Sequence, residues 1–391
     1  MNFDEMTERR GTDSSKWDNM QAFSGVSPQD GIPMWVADMD FRAPDFLQDA
    51  VKGLLATANY GYFCGMERYY EAVRWWMQTR HGWACDPSWM FVTYGLGNAI
   101  AMALQTFTEP GDGVVTFTPV YHEFEAKIRK TGRVNTQLPL MVQADGTYAM
   151  DFDAYDAMLT GGERLVLISS PHNPAGRVWS GEELNAIADF CLRHDLLLIS
   201  DEIHHDLILP GYRHVPMHVA APQIEDRLIM MTSASKTFNI AGARTGCVII
   251  PDAGLRQRFA DFHRSLDMSP NLLGVALTRA AYSPEGAAWV DELTAYIQGN
   301  VRLFRDKVNA IPGLRAMPMQ STYLAWVDFA GTGMAPDEFL GRIHRDARIA
   351  PTPGTELGLG GATYLRFNLG TLRARIAEAG DRLRAAFDDL Q

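Results

Sequence analysis

Short apolar runs from about residue 90 end in small or polar residues, and helically spaced stretches lie between them. Met90–Thr93 runs into Tyr-Gly-Leu-Gly-Asn and a helical stretch to about Phe107. Gly113–Phe117 ends in Thr-Pro-Val-Tyr, and Leu165–Ser169 in Ser-Pro-His-Asn-Pro-Ala-Gly. Leu196–Ser200 ends in Asp-Glu-Ile-His, Leu228–Thr232 in Ser-Ala-Ser-Lys, and Cys247–Ile250 is a sixth run. Strands alternating with helices predict a mainly parallel sheet with helices on both faces. Such strands are buried on both sides, which accounts for runs without polar alternation. Upstream, the polar start to about Trp35 reads as an irregular arm, while Pro44 to about Ala56 and Met66–Arg80 carry helical spacing. After about Ser283 come a long helical stretch, Glu285–Ala310, two strand-like runs, Thr322–Asp328 and Thr363–Leu369, and a final helix. The pattern predicts an α/β chain with a large domain over 46–284 and a smaller α+β domain over 285–391, joined by an arm over 1–45.

Composition fits this picture. With 391 residues, 47% of them hydrophobic, the chain can fill a large core and more than one domain. A net charge of −12 argues against nucleic acid as a partner, though not against a small anionic cofactor held by local donors. Cys64, Cys85, Cys191 and Cys247 form no CxxC pair and read as reduced thiols. The N-terminus lacks the apolar stretch of a signal peptide, and no apolar run approaches the roughly 20 residues that span a bilayer. A soluble, cytoplasmic protein with no membrane partner is expected.

Ligands of open parallel sheets bind outside the carboxyl ends of the strands. Asn173, Asp201 and Lys236 follow three successive predicted strands there. A lysine in a pocket can lose its proton and form a Schiff base with a carbonyl. The alternative is a structural lysine pairing with Asp201. A carboxylate ending a buried strand is costly unless paired. A protonated pyridine nitrogen would pair with Asp201, and Asn173 could donate to a ring oxygen. The alternatives are an N-cap or ordinary ion pair for Asp201 and a turn residue before Pro174 for Asn173. Ser233, Ser235, Arg244 and the Gly-rich turn before a helix could hold a phosphate. His204 and His205 do not face one another on a helix, and no ligand cluster accompanies them in the sequence, so no metal is expected.

Together these residues resemble pyridoxal-phosphate (PLP) enzymes of the aspartate-aminotransferase fold, fold type I, over nearly the whole chain. The nearest resemblance is to the MalY/PatB group of cystathionine and cysteine-S-conjugate β-lyases. It rests on Trp-Val-Ala-Asp-Met-Asp-Phe (35–41), Tyr-Gly-Tyr (60–62), Pro-Val-Tyr-His (119–122), Pro-His-Asn-Pro-Ala-Gly-Arg-Val-Trp (171–179), Ser-Asp-Glu-Ile-His-His-Asp (200–206) and Ser-Lys-Thr-Phe-Asn-Ile-Ala-Gly (235–242). The resemblance implies a large PLP-binding domain with a seven-stranded-type sheet and a smaller domain built from the arm and the C-terminal part. It implies that Lys236 carries the Schiff base and acts as catalytic base, and that Asp201 pairs with the pyridine nitrogen. It places Asn173 and His204 near the 3′-oxygen and Tyr121 on the ring, as a stacking and catalytic residue. Ser233, Arg244 and the amides of Leu96 and Gly97 would hold the phosphate. Arg366 would grip the substrate α-carboxylate, with Asn173 and the Ala37 backbone beside it. Tyr62, rather than Tyr60, would reach the phosphate of a partner subunit, making the enzyme a homodimer with shared active sites.

Arg244 resembles the phosphate arginine of aminotransferases, where many MalY-like lyases differ, and this keeps transamination open. The stretch 266–271 carries no arginine, which disfavours a dicarboxylate-specific transaminase. The expected activity is therefore carbon–sulfur β-elimination on an amino acid, giving pyruvate, ammonia and a thiol. An aminotransferase of neutral or aromatic amino acids is the second reading. A PLP-binding regulatory protein acting through a protein partner is the third.

Overall fold

The computed structural model describes residues 1–390. Its central sheet has seven strands, in the order Met90–Thr93, Gly246–Ile249, Leu228–Thr232, Leu197–Asp201, Glu163–Ser169, Gly113–Thr118, Val134–Pro139. Gly246–Ile249 runs antiparallel to both its neighbours, and the remaining pairs are parallel. The apolar runs are continuous because alternate side chains enter separate cores. Val166, Ile168, Leu198, Leu228 and Met230 join the core that includes Leu184 and Ile187 of helix Gly181–Arg193. Leu165, Leu167, Ile199, Ile229 and Met231 join the other, with Ile100 and Leu104 of helix Leu96–Phe107 and Phe259 of helix Ala253–Ser265.

A second sheet has five strands, ordered Ile32–Met34, Ile349–Pro353, Tyr364–Asn368, Leu324–Asp328, Arg315–Ala316. Helix Pro284–Asn309 packs with it through Val301, Phe304 and Val308. Ser283 caps this helix by accepting from the Gly286 amide, and Pro284 occupies its first turn, where a missing N–H costs nothing.

The three longest of the strands that escape the periodicity have visible reasons. Ile32–Met34 lies inside the segment read as an irregular arm and pairs with Ile349–Pro353. It is three residues long and contains Pro33, so it carries no pattern. Ile349–Pro353 holds two prolines, which usually argue against a strand flanked on both sides. Val134–Pro139 is an edge strand whose polar residues mask it as loop. Among the described residues no helix is long and apolar enough to cross a membrane.

The segment 35–41 is fastened between the two sheets. Asn239 accepts from the Met39 amide at 2.8 Å and donates to the Met39 carbonyl at 2.8 Å. Asn368 donates to the carbonyls of Val36 and Asp38, each at 2.7 Å. Asp40, almost wholly buried, accepts from Lys16, Trp17 and Arg375, each at 3.0 Å. These bonds fix a loop backbone that would otherwise be free to move.

Candidate active site

Three central strands in register bring their carboxyl ends together: Ser169 lies opposite Asp201, and Asp201 opposite Met231. The chain segments leaving those ends form a cavity of about 560 Å³. Lys236, Asp201, Asn173, His204, Tyr121, Leu96, Gly97, Arg244, Arg366 and Ala37 all line it. Two expected residues do not. Ser233 Oγ donates to the Thr245 carbonyl at 2.6 Å and accepts from the Ser235 amide at 3.1 Å, so it is spent inside the loop. Of the two, Ser235 lines the wall. Tyr62 is fully exposed on the loop before helix Glu67–His81, outside this cavity.

Lys236 Nζ donates to the Ala37 carbonyl at 2.8 Å. Burial pushes its pKa down to about 8, so a deprotonated amine is accessible near neutrality. Asp201 accepts from the Ile203 amide at 3.1 Å and forms no ion pair among the described residues. Burial pushes it up to about 7. A buried carboxylate without a cation is an acceptor waiting for a bound positive group. His204 is buried with Nδ1 lacking any hydrogen-bond partner, and burial drives it down to about 3, so the ring is neutral. Tyr121 is pushed up to about 12 by burial and keeps its proton.

Arg366 lies in strand Tyr364–Asn368 and is 2% exposed. Nη1 donates to Asn173 Oδ1 at 2.9 Å, and Nη2 to the Trp35 carbonyl at 2.9 Å and Thr352 Oγ1 at 3.1 Å. All three partners are neutral, and burial lowers Arg366 to about 10. A buried guanidinium held by neutral acceptors is built to receive a carboxylate. At the far end, helix Leu96–Phe107 starts after Gly95, whose φ of 87° suits glycine and admits the tight entry. No side chain caps this helix, so the amides of Leu96 and Gly97 stay open to an anion. Ser235 and Arg244 line the same cavity, and Arg244 makes no ion pair among the described residues. The cavity thus offers an anion cup, an unpaired acid, an amine and a carboxylate-binding arginine. These fit the phosphate, ring nitrogen and carbonyl of PLP, and the carboxylate of an amino acid.

The sequence reading passed over Phe23, Trp35, Thr352 and Glu356, which also line the cavity. Phe23 and Trp35 stack at 4.2 Å, bringing the N-terminal arm to the wall. Phe23, Thr352 and Glu356 lie outside the motifs that carry the resemblance, and only the tertiary fold brings the N-terminal arm, strand Ile349–Pro353 and the helical turn Gly354–Leu357 to the cavity.

One prediction belongs to the cofactor-free protein. The raised Asp201 pKa means the folded chain binds a proton that the unfolded chain has already released between about pH 4 and 7. Stability from this group is full below the unfolded value and is lost as pH rises towards 7. Denaturant titrations of the cofactor-free protein should show stability falling across that window, and Asp201→Asn should flatten the fall. An unchanged slope in the variant would contradict the assignment.

Comparison with known proteins agrees with this geometry. Residues 53–383 match the model for aminotransferase class I and II. Cystathionine beta-lyase PatB of Bacillus subtilis is 39% identical over 99% of this chain and 100% of its own. The crystal structure of cystalysin from Treponema denticola, which contains a pyridoxal 5′-phosphate cofactor, superposes with a TM-score of 0.94 at 34% identity over 100% of this chain and 99% of that one. A PLP-bound C-S lyase from Staphylococcus hominis superposes with a TM-score of 0.89 at 28% identity over 99% of each chain.

Proposed function

Since the chain belongs to the aminotransferase class I and II family, we propose that it is a PLP-dependent carbon–sulfur β-lyase, cleaving cystathionine or cysteine S-conjugates to pyruvate, ammonia and a thiol. The single observation that carries the reading is the pairing of Lys236 with a buried, charge-unmatched Arg366 across one cavity. It is supported by the 39% identity to a cystathionine beta-lyase along the full chain.

When bound, PLP supplies a carbonyl that condenses with amines and a ring that takes up the electron pair of a bond broken at Cα. Lys236, Asp201, Asn173, His204, Tyr121, Ser235, Arg244 and the Leu96 and Gly97 amides would hold it. Arg366 binds the substrate carboxylate through its fork and so sets which bond at Cα faces Lys236. The Lys236 amine, its pKa lowered by burial, takes the Cα proton as general base. The resulting Lys236 ammonium can return that proton to the departing thiolate. Asp201 stabilises positive charge at the ring nitrogen. Neutral His204 adds no cation to the cavity.

Tyr121 keeps its proton at neutral pH and serves as a donor, not a base. Tyr121→Phe should lower kcat by about 10-fold, the worth of one hydrogen bond of about 1.4 kcal/mol. Steady-state kinetics with unchanged cofactor content checks this, and an unaffected kcat would remove Tyr121 from the chemistry.

The exposed rings of Tyr60 and Tyr62 support a homodimer in which Tyr62 reaches the partner's phosphate cup. A cytoplasmic location fits the reduced cysteines. Arg244 in the wall supports transamination as a second reading. Thiol release from L-cystathionine, with and without a keto-acid acceptor, tests the choice. Equal rates support the lyase, and absence of thiol, with keto acid formed from the substrate only when the acceptor is present, overturns it.

A further inference from the structure

Outside the cavity described above, the structure gathers a second set of chemistry-bearing side chains. His81 ends helix Glu67–His81, Glu202, His205 and Asp206 follow strand Leu197–Asp201, and His214 lies in the loop beyond. All five are buried. The sequence reading found no cluster around His205, because its companions lie far along the chain. One donor atom each from Glu202, His205 and His214 come within 4.8 Å of one another, and the same holds for His81, His205 and Asp206.

Three observations bear on what this group can hold. First, Glu202 and Asp206 are buried carboxylates with no lysine or arginine paired to them among the described residues; their ion-pair partners are imidazoles alone. Ser200 Oγ and the Met217 amide also donate to Glu202, and Trp76 Nε1 and Thr237 Oγ1 to Asp206, so the carboxylates are hydrogen-bonded as well as paired with imidazoles. Second, His205 and His214 each turn Nε2 towards a carboxylate, at 3.3 Å from Asp206 Oδ2 and 2.8 Å from Glu202 Oε2, while Nδ1 of each has no hydrogen-bond partner. A carboxylate on one imidazole nitrogen fixes the tautomer and leaves the other nitrogen's lone pair for a metal. Third, His81, His205, Asp206 and His214 line a cavity of about 300 Å³ that also includes Tyr212 and Asp291. Tyr212 is 49% exposed, so the cavity reaches solvent and an ion has a path in.

We propose that this cluster is a binding site for one divalent transition-metal ion of the zinc class, centred on His205 and His214 with carboxylate support from Glu202 and Asp206. The open imidazole nitrogens would be the ligands and the carboxylates on the opposite nitrogens their outer-shell partners, a donor set that suits zinc, which takes imidazole nitrogen at about 2.0–2.1 Å. The ion would tie helix Glu67–His81 to the loop that leaves Asp201. It would brace the catalytic strand end from behind without touching the reacting atoms.

The test uses PLP-loaded enzyme, freed of metal with a chelator and titrated with Co²⁺ as a spectroscopic probe. One equivalent per chain should give the visible d–d bands of a low-coordinate ion, and Zn²⁺ should abolish them by displacement. His205→Gln and His214→Gln should each weaken binding by more than the roughly 10–100-fold that loss of an outer-shell partner costs. Cofactor absorbance should survive in both. Absence of bands in the wild-type protein, or bands that persist in both variants, would overturn the proposal. Should the variants fail to fold, zinc-soaked crystals of the wild-type holoenzyme decide: an anomalous peak between His205 and His214 supports the site, and its absence there overturns it.

Discussion

Lys236→Ala should abolish turnover, with a fall of at least about 10⁴-fold in pyruvate formation from L-cystathionine. The size of the loss follows from the neighbours. Burial holds Tyr121 at about 12 and His204 at about 3, so near neutrality the first is already protonated and the second is too weak a base. Asp201 sits at the other pole of its role, reserved for a positive ring nitrogen. Neither Tyr121 nor His204 can replace the amine, and Lys127, the other lysine in the wall, is tied to Glu123. Lys236→Arg separates basicity from charge: a guanidinium keeps the cation but does not give up its proton, so it should be as inactive as alanine. Both variants should retain cofactor through the Leu96–Gly97 cup and Asp201. Turnover within about tenfold of wild type in either variant would remove Lys236 as the base.

The second large effect is at Arg366. Arg366→Ala should lower kcat/KM by about 10²–10³-fold, since breaking a buried charge pair costs roughly 2–5 kcal/mol and each 1.4 kcal/mol is tenfold. The loss should appear with amino acids and shrink with a substrate amine that lacks the carboxylate. Alanine also strands Asn173 Oδ1, while Thr352 Oγ1 still donates to the Trp35 carbonyl, so stability will fall as well. Arg366→Lys keeps a cation and separates the two effects; it should recover part of the affinity without the two-pronged geometry. Kinetics on α-amino acids beside the decarboxylated analogues is the measurement. An equal loss on both would make Arg366 a structural residue only.

What could be read from the residues, and what could not, divides along physical lines. The five parallel-facing apolar runs were legible because burial on two faces removes polar alternation. Asn173, Asp201 and Lys236 were legible because polar chemistry at successive strand ends is rare and positional. Ile349–Pro353 was not, since its prolines speak against a strand and only the flanking Ile32–Met34 and Tyr364–Asn368 complete it. Ser233 and Ser235 were indistinguishable in sequence, two residues apart in a polar segment; both reach the Thr245 carbonyl, at 2.6 and 3.4 Å, and only Ser235 also lines the cavity. Glu356 and Trp35 reach the wall from loops fixed by long-range hydrogen bonds. His81, His205 and His214 meet only after the helix, strand and loop have packed. Chemistry carried by a local motif is visible in a sequence, whereas chemistry assembled by tertiary contacts is not.

The central claim is tested most directly by counting pyruvate per bound cofactor when L-cystathionine is supplied with no keto acid. A carbon–sulfur β-lyase should release pyruvate and thiol in equal amounts, continuing through many turnovers at a constant rate. A single equivalent of keto acid per site with no thiol, after which the reaction stops, would contradict the account and mark the chain as an aminotransferase.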